Sequence, residues 1–321
     1  MELTPDFSII INGSNTFPKD RVLSISTNDQ AGIVSDSCEI ELDDFDGALQ
    51  LPNTEAKFVV SLGYKETGLT QIGTYFVKEI TIDGAQKKVK ISGNAAPKSM
   101  RTQNSKTNIG GLKNYVNAMS DNFDLEAAFD DDLEEIDLEN YPQFAESDMS
   151  YATRISQKIG AVAKPADGHL VFSKDMEGKS ASGNNLPEKS IDASEVSNYS
   201  CTFKETGASG GTGAIFANWY DKQKGEYHLV QVGEGDPGSE LNEIFASEKE
   251  ARAAAGAKLK KVSTSNVTFH FSIEGRTDLF AEGRLKLNGF SPKIPEKWLI
   301  SKVSHSLDNS GFRTSVECMR G

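Results

Sequence analysis

Two carboxylates stand two positions apart in Q-F-A-E-S-D-M-S-Y-A-T-R-I-S-Q-K-I-G, residues 143 to 160, where Glu146 and Asp148 open an amphipathic stretch. A pair of acids is the equipment of general acid–base chemistry when the environment drives their pKa values apart and a cleft receives a substrate. The neighbouring residues supply neither condition, and each acid has a local role instead. Ser147 between them is a helix N-cap residue that can accept a hydrogen bond from a free backbone N–H of the first turn. Asp148 then falls inside that turn, at the positive end of the helix dipole. Met149, Ala152, Ile155 and Ile159 recur at helical spacing and Gly160 follows as a stop, which predicts a short helix docked by one face. The pair reads as architecture.

Other candidate chemistry fails on spacing. In G-K-S at 178 to 180 the first glycine of a phosphate loop would fall on Ser173, and no helix follows. D-D-F-D-G at 43 to 47, read as a calcium loop anchored on Gly47, puts Leu42 and Asn53 where carboxylates are required. G-A-S-G-G-T-G at 207 to 213 lacks dinucleotide-binding spacing and reads as a connection. The histidines at 169, 228, 270 and 305 have no ligand spacing, and no G-x-S-x-G elbow exists. Cys38, Cys201 and Cys318 are scattered with no C-x-x-C, so reduced, mostly buried thiols are expected, with no zinc site and no disulfide framework. No catalytic residue, cofactor or metal is assigned.

The 321 residues allow two or three domains. No run reaches the roughly 20 apolar residues of a membrane helix, and M-E-L-T-P-D-F has no signal-peptide character, so assembly in a cytoplasm is expected. Nine of the acids behind the net charge of −13 lie in residues 124 to 140, without a base among them. Such a chain has no basic footprint for phosphates, which argues against stable nucleic-acid binding. The acidic run, with Asp130, Asp131, Asp132, Glu134 and Glu135 at its centre, is expected to be a solvated surface or, on a sharper reading, a docking patch for a basic partner.

The elements that would carry these residues change character twice. Residues 1–102 read as strands: Cys38, Ile40 and Leu42 alternate with acids, and F-V-V-S-L-G-Y, T-Y-F-V-K-E-I-T-I-D-G and K-V-K-I-S-G are β-rich runs between glycine turns. Residues 103–168 read as a small α/β unit, with a helix marked by Ile109, Leu112, Val116 and Met119, two short strands in F-D-L-E-A-A-F and E-E-I-D-L-E-N-Y, and the helix after Ser147. Residues 169–321 return to strands, interrupted by one helical excursion at about 245–262. A weak repeat links the two β regions. Tyr75, Val77, Ile80 and Ile82 precede a turn at Asp83–Gly84, and Trp298, Ile300, Val303 and His305 precede one at Asp308–Gly311, both at +2, +5 and +7 from the aromatic.

Gln143, Glu146, Ser147, Asp148, Arg154 and Gly160 follow Q-x-x-E-S-D-x-x-x-x-x-R-x-x-x-x-x-G. With the opening T-P-D-F-S-I-I-I-N-G, the S-L-G-Y at 61 to 64 and the closing W-L-I-S-K-V-S-H-S-L-D-N-S-G-F-R-T that holds Trp298 and His305, the chain resembles the phage late control D proteins. These are baseplate hubs of contractile tails, similar to the N-terminal part of type VI secretion spike proteins. The resemblance implies a mainly β (α+β) fold of two tube-like antiparallel β-barrels with the α/β unit inserted between them. It also implies a homotrimeric hub in the virion baseplate or in a tail-like particle. Its partners would be the tail tube, baseplate wedge proteins, a trimeric spike on a separate polypeptide and a tape-measure protein. A tail-borne peptidoglycan hydrolase and the hub of a DNA-free bacteriocin or injection particle are the alternatives.

Overall fold

The computed structural model describes residues 3–15, 17–32, 34–106, 110–130, 133, 136, 138, 141–174, 186–204, 213–235, 238–264 and 266–320. The first β region forms β1 (Pro5–Ile11), β2 (Ser14–Asn15), β3 (Val22–Gln30), β4 (Ser37–Asp43), β5 (Lys57–Tyr64), β6 (Gly68–Asp83) and β7 (Lys88–Asn94). Alternation decides their faces: Cys38, Ile40 and Leu42 of β4 are buried with Phe58, Val60 and Leu62 of β5, while the intervening Glu39 and Glu41 reach outward to Lys90 and Lys88.

The α/β unit follows as β8 (Gln103–Lys106), α1 (Leu112–Asn122), β9 (Glu126–Phe129), β10 (Gln143–Ser147), α2 (Asp148–Lys158), β11 (Ala161–Ala166) and β12 (His169–Lys174). β12 pairs with both β11 and β9, so this small sheet takes in residues beyond 168, the boundary expected from sequence, which falls in the β11–β12 turn. The helices α1 and α2 are where the periodicity puts them, with Leu112, Val116 and Met119 packed against Ala152 and Ile155. Ile109 lies outside the described residues. Of E-E-I-D-L-E-N-Y, Ile136 and Leu138 pack the core and belong to no strand, their backbone pairing limited to the Leu112 N–H on Ile136 O at 2.8 Å and the Leu138 N–H on Gly110 O at 3.2 Å.

The second β region holds β13 (Glu188–Asp192) and β14 (Val196–Phe203), then β15 (Ile215–Asp221), β16 (Glu226–Val232), β17 (Ser239–Phe245) and α3 (Glu248–Thr264), then β18 (Val267–Glu274), β19 (Arg284–Asn288), β20 (Lys297–Asp308) and β21 (Gly311–Arg320). The helical excursion is therefore the lid of a separate unit. α3 packs Ala251 and Ala255 against one face of the three-stranded sheet β16-β15-β17, around Ile215, Ala217, Val230 and Phe245.

The two β regions are not separate sheets. β20 pairs with β3 from Lys302↔Gln30 to Asp308↔Ser24, which joins them in one sheet of 13 strands among the described residues, in the order β14-β18-β21-β20-β3-β4-β7-β6-β5-β1-β2 with β19 and β13 off β20. Each half wraps its own apolar core, and Leu307 and Phe312 from the C-terminal hairpin complete the first.

The repeat in the sequence has a physical cause. β6 carries a bulge between Val77 and Glu79, and β20 one between Ile300 and Lys302, so Lys78 and Ser301 are the extra residues. A regular strand would turn +5 to the face opposite +2. The bulge restores it, which sets Val77 and Ile80 opposite Gly93 and Ile91, and Ile300 and Val303 opposite Cys318 and Val316.

Gly275, just after β18, ties the halves together. Its N–H donates to Phe312 O at 2.9 Å, its carbonyl accepts from the Tyr64 hydroxyl at 3.0 Å, and a Cβ there would lie 2.0 Å from the Phe312 ring. Gly275→Ala should lower the unfolding free energy by about 2 kcal/mol, the usual cost of overpacking. Urea titration measures it, and an unchanged midpoint would show that the contact is free to relax.

Candidate functional site: a braced signature motif and a buried ionic junction

The acids of the opening motif are bound into a clasp. β10 pairs with β8 through Gln143↔Lys106 and Glu146↔Asn104, with a bulge between in which Ala145 takes φ +45°. Ser147 is the N-cap of α2 and accepts from the Ser150 N–H at 3.1 Å, as its position predicts. Asp148 is only 2% exposed, and one of its carboxylate oxygens accepts from Lys106 Nζ and from Gln143 Nε2, each at 2.9 Å. Its charge is thus spent on two side-chain donors rather than on the helix dipole alone. Gln143 also donates to Asn104 Oδ1 and to the Glu146 carbonyl. Glu146 is paired with Arg154 through two hydrogen bonds, and Arg154 further donates to Pro142 O and lies over the Tyr151 ring. Gly160 closes the helix at φ +70°, a conformation that favours glycine. The six signature residues are thus brought together around one helix and its flanking hairpin.

A second polar cluster lies where the α/β unit meets both β halves. Lys164 of β11 donates to Asp29 Oδ1 at 3.2 Å, Asp36 Oδ1 at 3.0 Å and Gln30 O at 2.7 Å, all from the first half. The other oxygen of Asp29 accepts from the Ala281 N–H of the second half at 2.7 Å. One cation serves the buried Asp36 and the half-buried Asp29, so burial and the neighbouring Asp29 raise the pKa of Asp36, and against its own burial the two acids raise that of Lys164. His305 borders the same cavity of about 370 Å³ and shares a 2.9 Å hydrogen bond with Thr314 Oγ1. Burial pushes its imidazole down to about 4, so it is neutral in the folded protein. Unfolding lets it take a proton, and its burial becomes a cost as pH falls from 6.5 towards 4. Spacing gave no pointer to this junction beyond a lysine in the otherwise apolar A-V-A-K-P-A.

The remaining candidates lie apart from both clusters. Trp298 is buried in the second core, with Nε1 donating to Pro295 O and the ring 5.4 Å from Phe269. Asp130 is buried, which corrects its expected place on a solvated or docking surface: its N–H is bound to Phe172 O at the end of β9, and Leu133 and Leu138 of the acidic run plug the core beside it. Asp131, Asp132, Glu134 and Glu135 lie outside the described residues, as does G-K-S. Among the described residues no cluster of three or more His, Cys, Asp or Glu could hold a metal ion, and no helix is long and apolar enough to cross a membrane. What both clusters can do chemically is fix elements relative to one another.

Stability should rank accordingly. Asp148→Ala takes from Lys106 its carboxylate and from Gln143 one of its three acceptors and should cost about 2–3 kcal/mol, Ser147→Ala about 1 kcal/mol through loss of the cap, and Glu146→Gln less than about 1 kcal/mol because its ion pair is partly solvated. Denaturant titrations of the three variants test the order. Lys164→Met leaves the buried Asp36 and the half-buried Asp29 without a cation and should cost about 3 kcal/mol or more near neutral pH. With Asp36 raised by burial, the folded variant holds a proton that the unfolded chain has released, so its deficit should shrink from pH 8 to pH 5. A deficit independent of pH would mean that the carboxylates are not what the lysine compensates.

The comparisons with known proteins agree with a fixed, interacting framework. Residues 96–311 match the family described as phage tail baseplate hub (GPD). The chain is 30% identical to the probable baseplate hub protein of Escherichia phage 186, over 98% of its own length and 92% of that protein's. In fold it is similar to the 43 kDa tail protein of prophage MuSo2 from Shewanella oneidensis, with a TM-score of 0.71 at 12% identity over 99% of this chain and 98% of that one. It is also similar to an E. coli component of the type VI secretion system that resembles bacteriophage T4 tail proteins, with a TM-score of 0.55 at 10% identity over 98% of this chain and 76% of that one. A family match across most of the chain and a relative aligned along nearly its whole length lead to one assignment: the chain belongs to the phage tail baseplate hub family.

Proposed function

We propose that this tail baseplate protein works as a ring of three copies that adapts a sixfold tail tube to a threefold spike. The observation that carries the reading is the pair of bulged hairpins, one in each half, held in one continuous sheet. A threefold ring of such chains offers six similar β faces to a tube and three whole chains to a spike. The ends of the sheet support it. β14, V-S-N-Y-S-C-T-F, is an edge strand of 8 residues with no charge and no proline, and at the opposite edge β1 is covered by β2 only at Ile10 and Ile11. Natural sheets guard free edges with charges or prolines; β1 carries Pro5 and Asp6, whereas β14 has neither, so the unguarded β14 edge suits head-to-tail pairing that closes a ring. Wedge proteins would then hold the ring from outside, and a tape-measure protein would pass through it.

Function on this reading lies in surfaces, and Glu146 and Asp148 carry no catalysis. Quantitative mass spectrometry of purified tails should count three copies per baseplate, and Cys201→Pro in β14, at a position whose N–H points away from β18, should block ring formation while the isolated chain keeps its fold. One copy or six per baseplate would refute the ring. Clearing of purified cell walls by the chain, abolished by Glu146→Gln, would replace the structural role with a hydrolytic one.

A further inference from the structure

Seven consecutive strands of the large sheet, β14-β18-β21-β20-β3-β4-β7, carry one row of small uncharged residues straight across them. The register runs Asn198↔Ser272↔Ser315↔Ser304↔Asn28↔Ser37↔Asn94. None of these is one of the β-branched or aromatic residues that strands favour. Their polar atoms are partly spent on one another: Ser304 Oγ donates to Asn28 Oδ1 at 2.7 Å, and Ser272 and Ser315 share a hydrogen bond at 3.1 Å. The rows on either side hold two cations, Arg313 and Lys302, each opposite a glutamate, Glu274 and Glu317, while Glu39 is paired with Lys90 at 2.8 Å. This face is open to water, with Ser200, His270, Glu317, Arg313, Ser306 and Glu39 all exposed. Both apolar cores and the Lys164 junction lie on the other side of the strands, with Ile40, Phe271, Val316 and His305. In a chain of net charge −13, these three rows offer neither an unopposed cation nor an apolar side chain.

We infer that this face is the inner wall of the ring proposed above, and that a polyanion, a chain of phosphates, slides along it without being gripped. The inference rests on that ring. Pairing through β14 would carry the sheet from chain to chain around the axis, so one of its two sides has to face inward. The cores and the Lys164 junction fill one side, which leaves the serine and asparagine row for the bore. Phosphates are held by lysine and arginine, each contact adding affinity through counterion release. Setting both flanking cations against glutamates and filling the centre with hydroxyls and amides withdraws that grip. A wall of this kind is made to be touched and not to bind.

The test uses particles that hold their packaged nucleic acid. Ser304→Lys combined with Ser37→Lys adds two cations per chain to the row, and Ser304→Leu combined with Ser37→Leu adds apolar handles at the same places. Both pairs should leave the thermal transition of the free chain and the three copies per baseplate unchanged. The lysine pair should slow triggered release of the nucleic acid about tenfold at low salt, with the delay vanishing as salt rises, the signature of phosphate contacts. The leucine pair should release at the normal rate. Normal release by the lysine pair from baseplates with three copies would overturn this inference and leave the ring standing, whereas one copy or six would overturn both. A delay caused by the leucines and not by the lysines would make the sliding chain a polypeptide and overturn the assignment of a polyanion. A lysine pair that folds normally yet fails to enter tails would make this face a contact with another protein, which overturns the inference as well.

Discussion

Taking an ammonium group out of water costs several kcal/mol, and the cost is met only where good geometry and further hydrogen bonds compensate it. Lys164 meets that condition at a single place, where two carboxylates and a carbonyl of the first β half converge on a strand of the α/β unit, and where one of those carboxylates also holds a backbone N–H of the second half. The β3–β20 ladder fixes the two halves to each other, and one buried cation fixes the α/β unit to both. Apolar packing alone would let such units slide, because the hydrophobic effect is not directional. An ionic knot with fixed partners leaves one arrangement, which is what a protein joining other bodies needs.

The opening pair of acids makes the same point at smaller scale. Asp148 has the burial of a catalytic acid, yet its donors are already present in the chain, and Glu146 is occupied by Arg154. A carboxylate whose lone pairs are taken by its own framework has little left for a substrate. In this chain the motif braces α2 against the β8–β10 pair.

How much of this could be read beforehand depended on sequence distance. The Ser147 cap, the apolar stripe of α2 and the Gly160 stop are local, and each stands where its neighbours required it. The shared spacing of Tyr75 to Ile82 and Trp298 to His305 was visible, but its meaning, a bulge that restores the inward face, needed the partner strands. The Lys164 junction was illegible because its partners lie 128 and 135 positions away and a lone lysine in a strand ordinarily faces water. The sheet under α3 was missed for a related reason: its strands were recognisable, while their pairing apart from the main sheet is set by packing against the helix. Asp130 was misplaced because charge was weighed over the run as a whole, whereas its leucines draw part of it inward.

The ladder between β3 and β20 also bears on synthesis. Thr27 pairs with His305, so the edge of β3 that faces β20 has no partner until the chain has been made as far as β20. At the usual 5–20 residues per second, that is roughly a quarter of a minute to a minute on the ribosome. Throughout that interval the nascent first half displays an unpaired strand and a core still lacking Leu307 and Phe312. The hairpin β20–β21 is the one that seals it, which makes its synthesis the step on which productive folding of the first half waits.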